Sequence, residues 1–276
     1  LILLLQFHPT KTQHKPTIFL SPPGIGLADK ATEWKDKYGP VFTMYLGSKP
    51  TVVISSIEAL TEAYMTRGDD FANKSHSVSL DAVTENGKNI AFADLSEGLK
   101  FRRKNVMQVW PAAFTDSHIT HTLSDVFFAG VDTTRHTLAW IFLYLALNPD
   151  VQRKVQAEID DIVGDAVPGR EHRPGLVSRN NDVVHSGCYT RSSGIEHTPT
   201  LQLLLPPTKY TFQLMGYDIP AKTEIMVNQY AILRDPNHWD QPESFVPGRY
   251  LDKDGGKLTL KPKSWIPFSI GQRSCV

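Results

Sequence analysis

From residue 117 to 147 the apolar side chains Ile119, Leu123, Val126, Phe127, Val131, Leu138, Ile141, Phe142 and Leu145 return at three- and four-residue intervals. That period predicts one long α-helix, largely buried, as the central element of a mainly helical fold. Asn148-Pro149 ends it and starts the next helix, with proline at the first helical position, where its missing N–H costs nothing. The next helix carries Val151, Val155, Ile159 and Ile162 on one stripe, and Gly164 can terminate it.

The middle of the long helix reads Ala129-Gly130-Val131-Asp132-Thr133-Thr134. Glycine, aspartate and paired threonines are poor helix formers, so a requirement other than propensity placed them there. Ala129 and Gly130 leave room for a bulky flat partner beside the backbone. Thr133 can bond back to the carbonyl of Ala129 and open the helix locally, and Asp132 adds an ionisable group next to it. Such a set suits a proton relay beside a bound ligand. It equally suits two threonines that satisfy themselves within the helix.

A second chemical run closes the sequence: Phe268-Ser269-Ile270-Gly271-Gln272-Arg273-Ser274-Cys275. Cysteine ligates metal only as the thiolate, which needs positive charge, backbone N–H groups or the metal itself to stabilise it. Gly271 permits close backbone approach to a flat cofactor, Arg273 supplies a cation two residues before the sulfur, and Phe268 can pack on a ring. Taken alone, Cys275 is as readily a small buried residue. Arg102, Arg103 and Lys104 sit on a predicted helix over 97–110 and, by composition, read as a solvated basic face.

The remaining elements are shorter. A helix is predicted over 27–38, then a β-hairpin from Val41–Leu46 and Thr51–Ile54. Ser55-Ser56-Ile57-Glu58 has capping-box spacing and opens a helix through Arg67 that Gly68 can close. Gly216 to Pro220 reads as a turn between strands, followed by a strand at Glu224–Val227. Residues 165–200 lack either apolar period and read as irregular. Lys plus Arg and Asp plus Glu each total 29, so no basic field marks a nucleic-acid partner. Cys188 and Cys275 form neither a disulfide framework nor a zinc pair. Leu1 to Leu5 is too short to cross a bilayer and reads as a frayed terminus or the stump of a membrane anchor.

Together these motifs resemble the cytochrome P-450 (haem-thiolate monooxygenase) family, most closely its animal microsomal members. FxxGxRxC, the complete match to [AG]Gx[DE]T[TS], the phrases YGPVFTMYLG and RGDDF, and Phe245-Val246-Pro247-Gly248-Arg249-Tyr250 carry the resemblance. It implies an α+β fold, mainly α with a small β-sheet region: a partial cytochrome P-450 fold around a long central helix. It implies an anchor remnant and proline-rich hinge over 1–26 and a single incomplete catalytic domain over 27–276. Cys275 would be the proximal ligand of haem b (iron protoporphyrin IX). Asp132 and Thr133 would act in oxygen activation, and Arg103 and Arg273 near the propionates. Ala129, Gly130, Phe268 and Gly271 would line the cofactor. Arg249 would join a charge network clamping the loop beneath the haem. The implied reaction inserts one oxygen atom into an apolar organic substrate of the steroid, fatty acid or xenobiotic class. Electrons would come from NADPH through a flavin reductase, at the cytoplasmic face of the endoplasmic reticulum membrane.

The sequence departs from the family pattern in four places. Leu99 stands where a tryptophan belongs in WxxxR, removing a ring hydrogen bond to a propionate. No ExxR occurs; Pro199-Thr200-Leu201-Gln202 takes its place and cannot form that ion pair. Only Trp110 to Asp116 separate the basic helix from the long one, where the family has several helices, and the helix that follows the ligand cysteine is missing. The pattern is that of a partial or mis-assembled chain, and an inactive fragment unable to hold haem is the competing reading.

Overall fold

The structure is a computed structural model that describes residues 27–46, 49–71, 78–105, 115–163, 202–205, 210–221, 223–250 and 263–275. The expected anchor remnant and hinge over 1–26, and the irregular stretch over 165–200, lie outside the described residues.

The chain opens with α1 (Leu27–Tyr38), as its spacing predicts. Ala31 and Trp34 turn inward and meet Phe42, Met44, Val53 and Met226 in one apolar cluster. Trp34 contacts Phe42 edge to face, with ring centroids 6.2 Å apart. β1 (Val41–Leu46) and β2 (Lys49–Ile54) form the expected antiparallel hairpin, with Val41 opposite Ile54 and Leu46 opposite Lys49. The four-stranded sheet runs β1-β2-β6-β3, where β3 is Gln202–Leu205 and β6 is Glu224–Val227. β2 pairs with β6 in parallel, so this sheet ties residues near the start of the described chain to residues some 170 positions later. Gln202, aligned with the end of the missing ExxR, lies in a strand opposite Val227.

β4 (Phe212–Leu214) and β5 (Tyr217–Ile219) make a second hairpin. Met215 and Gly216, at φ 50° and 80°, are the two left-handed residues of its turn. The turn therefore precedes Tyr217, and Tyr217 to Ile219 form a strand where the sequence alone suggested a turn.

Helix α2 (Ile57–Thr61) is capped by Ser56, whose side chain accepts the N–H of Ala59. The expected single helix to Arg67 is divided. After α2 the chain loosens into a π-helical turn over Glu62–Thr66, then tightens into a 3₁₀ turn over Gly68–Phe71. Three short helices follow in sequence: α3 (Val78–Val83), α4 (Glu97–Lys104) and, beyond β6, α7 (Gln229–Ile232).

Helix α5 spans Asp116–Leu147, thirty-two residues, and α6 spans Pro149–Val163. The prediction of a long helix holds; that of a largely buried one does not. Phe127, Phe128 and Phe142 are 73%, 78% and 68% exposed, whereas Thr122 and Thr137 are buried. A helix satisfies its own backbone hydrogen bonds whatever lies beside it, so periodicity reports the face that would bury and not whether anything covers it.

The described residues fall into two compact units. One comprises the described chain up to Val131, residues 202 to Ile232 and those from Phe268 onward; the other comprises Asp132–163 and Leu233–Pro267.

Candidate cofactor site

In the first unit the loop Phe268–Cys275 is closed by its own backbone: the Cys275 N–H donates to the Phe268 carbonyl at 2.9 Å and the Ser274 N–H to that of Gly271 at 3.1 Å. Ser269 and Gly271 hold left-handed φ values of 60° and 77°, which curl eight residues into this small space. Cys275 is exposed at its rim.

Two guanidiniums hold the loop. Helix α4 is capped by Ser96, whose Oγ accepts the Leu99 N–H at 3.1 Å, and its Leu99 is fully buried with Ile90 and Ala93. That anchorage directs Arg103 to the loop, where Nη2 donates to the Ser274 carbonyl. Arg273 reaches the other way, and its Nη2 donates to the Ala93 carbonyl. Burial lowers the pKa of Arg103, an effect opposed by the sulfur of Cys275. Burial also lowers that of Arg273 to about 10, with the like charge of Arg103 acting in the same direction and Asp94 opposing it. Both remain cations at neutral pH. Arg103, Arg273 and Cys275, which the sequence singled out from two distant segments, are thus gathered into one positive, half-buried cluster.

Other residues in this unit tie its segments together; Asp125 and Glu85 were not flagged by sequence, and Arg102 reads by composition as part of a basic face. Asp125 on α5 accepts the Ile90 and Ala91 N–H groups at 2.9 Å each, and the Asn89 side chain at 3.3 Å. Arg102, buried, donates to the Lys88 carbonyl. It is therefore no part of a solvated basic face, and burial lowers its pKa. Glu85 collects Lys88, Ser117 and His121, at 2.6, 2.7 and 3.4 Å. A lone carboxylate in a polar stretch offers no sequence signal of such a role.

Gly271 has a protein-based reason to be glycine. A Cβ there would lie 2.6 Å from the Tyr64 carbonyl oxygen, at a φ of 77° that side chains resist. Phe268 is 48% exposed.

On α5, Ala129, Gly130, Asp132 and Thr133 are all exposed, and a Cβ added to Gly130 would meet nothing within 4 Å. The helix runs through them without the local opening expected from Thr133. Asp132 belongs to the second unit and is paired: Arg135 Nη2 reaches its Oδ1 at 3.2 Å and His136 Nδ1 at 3.4 Å. Spacings of three and four residues along the helix are the signal that could have revealed both partners. Thr137 donates to the Thr133 carbonyl at 2.9 Å.

Arg249, also in the second unit, organises the Gln241–Val246 turn with main-chain bonds. Nη2 donates to Gln241 at 2.8 Å and Ser244 at 3.0 Å, and Nε to Val246 at 3.2 Å. Among the described residues its Nη1 is buried with no acceptor.

The sequence profile of the cytochrome P-450 family matches residues 18–110, 108–174 and 206–276, most of the chain. This chain belongs to the cytochrome P-450 family. Rat steroid 17-alpha-hydroxylase/17,20 lyase is 35% identical over 167 residues, covering 60% of this chain and 32% of that protein. Human cytochrome P-450 2U1 is 37% identical over 169 residues, covering 60% and 29%. The chain thus spans about a third of the length of the curated relatives it matches. Among solved structures, a zebrafish cytochrome P-450 with progesterone matches at TM-score 0.76 and 21% identity, covering 91% of this chain and 88% of that one. A second zebrafish structure, with abiraterone, matches at TM-score 0.72 and 22% identity, covering 90% and 86%. The fold is that of the family: mainly helical, with small sheets.

The family implies haem, and the donor set suits it. An exposed thiol flanked by two mutually repelling guanidiniums is chemically matched to a metal centre carrying carboxylates at its edge. Among the described residues no group of three or more His, Cys, Asp and Glu stands ready to hold a bare metal ion.

Proposed function

We propose that this chain represents a haem-thiolate monooxygenase that inserts one oxygen atom into a small apolar organic substrate. The observation that carries the reading is the convergence of Arg103, Arg273 and Cys275 on one loop. Bound haem b would supply the oxidising chemistry, with electrons passed from NADPH through a flavin reductase. Cys275 would hold the iron as a thiolate, and Arg103 and Arg273 would neutralise the carboxylates, which in turn relieves the repulsion between the two cations. Phe268 and Gly271 would shape that side. On α5, Ala129 and Gly130 would leave space beside the backbone, while Asp132 and Thr133 would move a proton, with Arg135 and His136 holding the Asp132 side chain in place.

A steroid is the favoured substrate class, supported by the names of the hydroxylase relatives and of a structure solved with progesterone. One catalytic domain over 27–276 and attachment to the cytoplasmic face of the endoplasmic reticulum membrane complete the reading. Among the described residues no helix is long and apolar enough to cross a membrane.

A second reading, an inactive fragment that cannot retain haem, is favoured by the exposure of Phe127 and Phe128 beside Ala129 and Gly130, because a buried cofactor needs walls as well as ligands. Titration with haem, followed by reduction under carbon monoxide, separates the two. Stoichiometric uptake with a thiolate-type Soret band supports the monooxygenase reading; no uptake by the chain overturns it in favour of the fragment.

A further inference from the structure

The loop that carries Cys275 is held by Arg103 and the Ala93 carbonyl, and it also packs against a segment with no assigned role. That segment is the π-helical turn Glu62–Thr66 and the 3₁₀ turn Gly68–Phe71 behind it. π turns are rare, and each adds a residue that displaces the carbonyls which follow. Here the turn brings the Tyr64 carbonyl against Gly271, so close that a Cβ on Gly271 would lie 2.6 Å from the oxygen and 3.1 Å from the Tyr64 Cβ. Five residues on, Asp69 Oδ1 accepts from Gln272 Nε2 at 2.7 Å, and a Cβ on Gly68 would already touch that glutamine at 3.4 Å.

The segment is itself rigidly backed. Tyr64 is 5% exposed and Phe71 3%. Their rings lie 6.0 Å apart, and Phe71 meets Phe212 edge to face at 5.0 Å. Arg67 stands over the Phe212 ring at 5.6 Å and donates to the Gln213 carbonyl at 2.8 Å, while Glu62 accepts the Met215 N–H at 3.2 Å. The β4–β5 hairpin thus buttresses the π turn, and the π turn seats the loop. Two consecutive loop residues, Gly271 and Gln272, are fixed by backbone shape and by one hydrogen bond, neither of which involves a cofactor.

We infer that the segment Glu62–Phe71 is a positioning element for Cys275: the Tyr64 carbonyl and the Asp69 carboxylate set the register of the loop and so the presentation of the sulfur. This rests on Cys275 being the iron ligand, but its test reads the thiol directly.

In the full 276-residue chain carrying Cys188→Ser, the alkylation rate of Cys275 by iodoacetamide is measured at one pH without haem. Gly271→Ala, which drives a Cβ into the Tyr64 carbonyl, changes that rate by at least about fivefold. Gly39→Ala imposes a comparable left-handed strain at φ 94° where nothing lies within 4 Å and outside this chain of contacts, and it leaves the rate unchanged. Asp69→Ala changes the rate, and Asp69→Asn, which keeps an acceptor for Gln272, restores it. Circular dichroism verifies that each variant is folded, and the Asp69 pair decides the matter if Gly271→Ala is not. Equal rates in the parent, Gly271→Ala and Asp69→Ala would overturn the inference. Failure of haem uptake in the parent would overturn the monooxygenase reading and leave this result standing.

Discussion

Arg273 illustrates how a residue can be poorly served by the free protein and well suited to a ligand. Burial and the neighbouring Arg103 both act against its charge, lowering its pKa to about 10 while Asp94 opposes them, and its hydrogen bond to Ala93 is to a neutral carbonyl. Replacing it with glutamine should therefore leave the urea midpoint of the ligand-free chain nearly unchanged while weakening haem retention by about tenfold or more, read by haem titration of both proteins. Glu85 is the opposite case, served entirely by its neighbours. Hydrogen bonds from Lys88, then Ser117 and His121, bring its pKa down from 4.5 to about 2. Because the folded value lies below the unfolded one, its contribution is complete above pH 4.5 and vanishes as the pH falls toward 2. Urea midpoints for Glu85→Gln and the parent should accordingly differ above pH 4.5 and converge near pH 2.

Elements were legible in the sequence where the signal was local. Helix α1, the first hairpin, a serine cap on α2 and the existence of α5 all follow from period, turn residues and capping chemistry, although the cap is Ser56 and not the Ser55 that the Ser55–Glu58 capping-box spacing implies. The π turn at Glu62–Thr66 was invisible, because the loop it packs against, at Gly271, lies about two hundred residues away. The cover of α5 was misread for a related reason: apolar periodicity records a preference and not a neighbour. Of the candidate site, motif spacing picked out Cys275, Arg103 and Arg273, yet Arg102, Asp125 and Glu85 were missed, since single charged residues look alike until a fold assigns their partners. The exposed face of α5 has a measurable consequence. Changing Phe127 and Phe128 to glutamate should shift the unfolding free energy by no more than about 0.5 kcal/mol each, as expected where little packing is lost. Sedimentation should show less self-association than in the parent.

Across the whole molecule, the bonds that define the candidate site join residues far apart in sequence. Gln272 to Asp69, Arg273 to Ala93 and Arg103 to Ser274 span 203, 180 and 171 positions. A chain ending at Pro267 would lose all three together. Trypsin should then cut after Arg102 and Arg103 about tenfold faster, because α4 has lost what packs over it and opens locally more often. Cutting at an unchanged rate would show that α4 is held independently of the loop.

The same separations set an order of assembly during synthesis. Tyr64, Asp69, Ala93 and Arg103 leave the ribosome long before Gly271 to Cys275. At roughly 5 to 20 residues per second, the 171 positions between Arg103 and Ser274 correspond to a wait of about 10 to 35 s. For that interval the Tyr64 and Ala93 carbonyls and the Arg103 guanidinium lack the strip of chain that they hold in the folded protein, and the hairpin that backs Tyr64 is itself made only at Phe212–Ile219. The nascent protein is most exposed to capture by chaperones, or to wrong partners, just before the sulfur arrives.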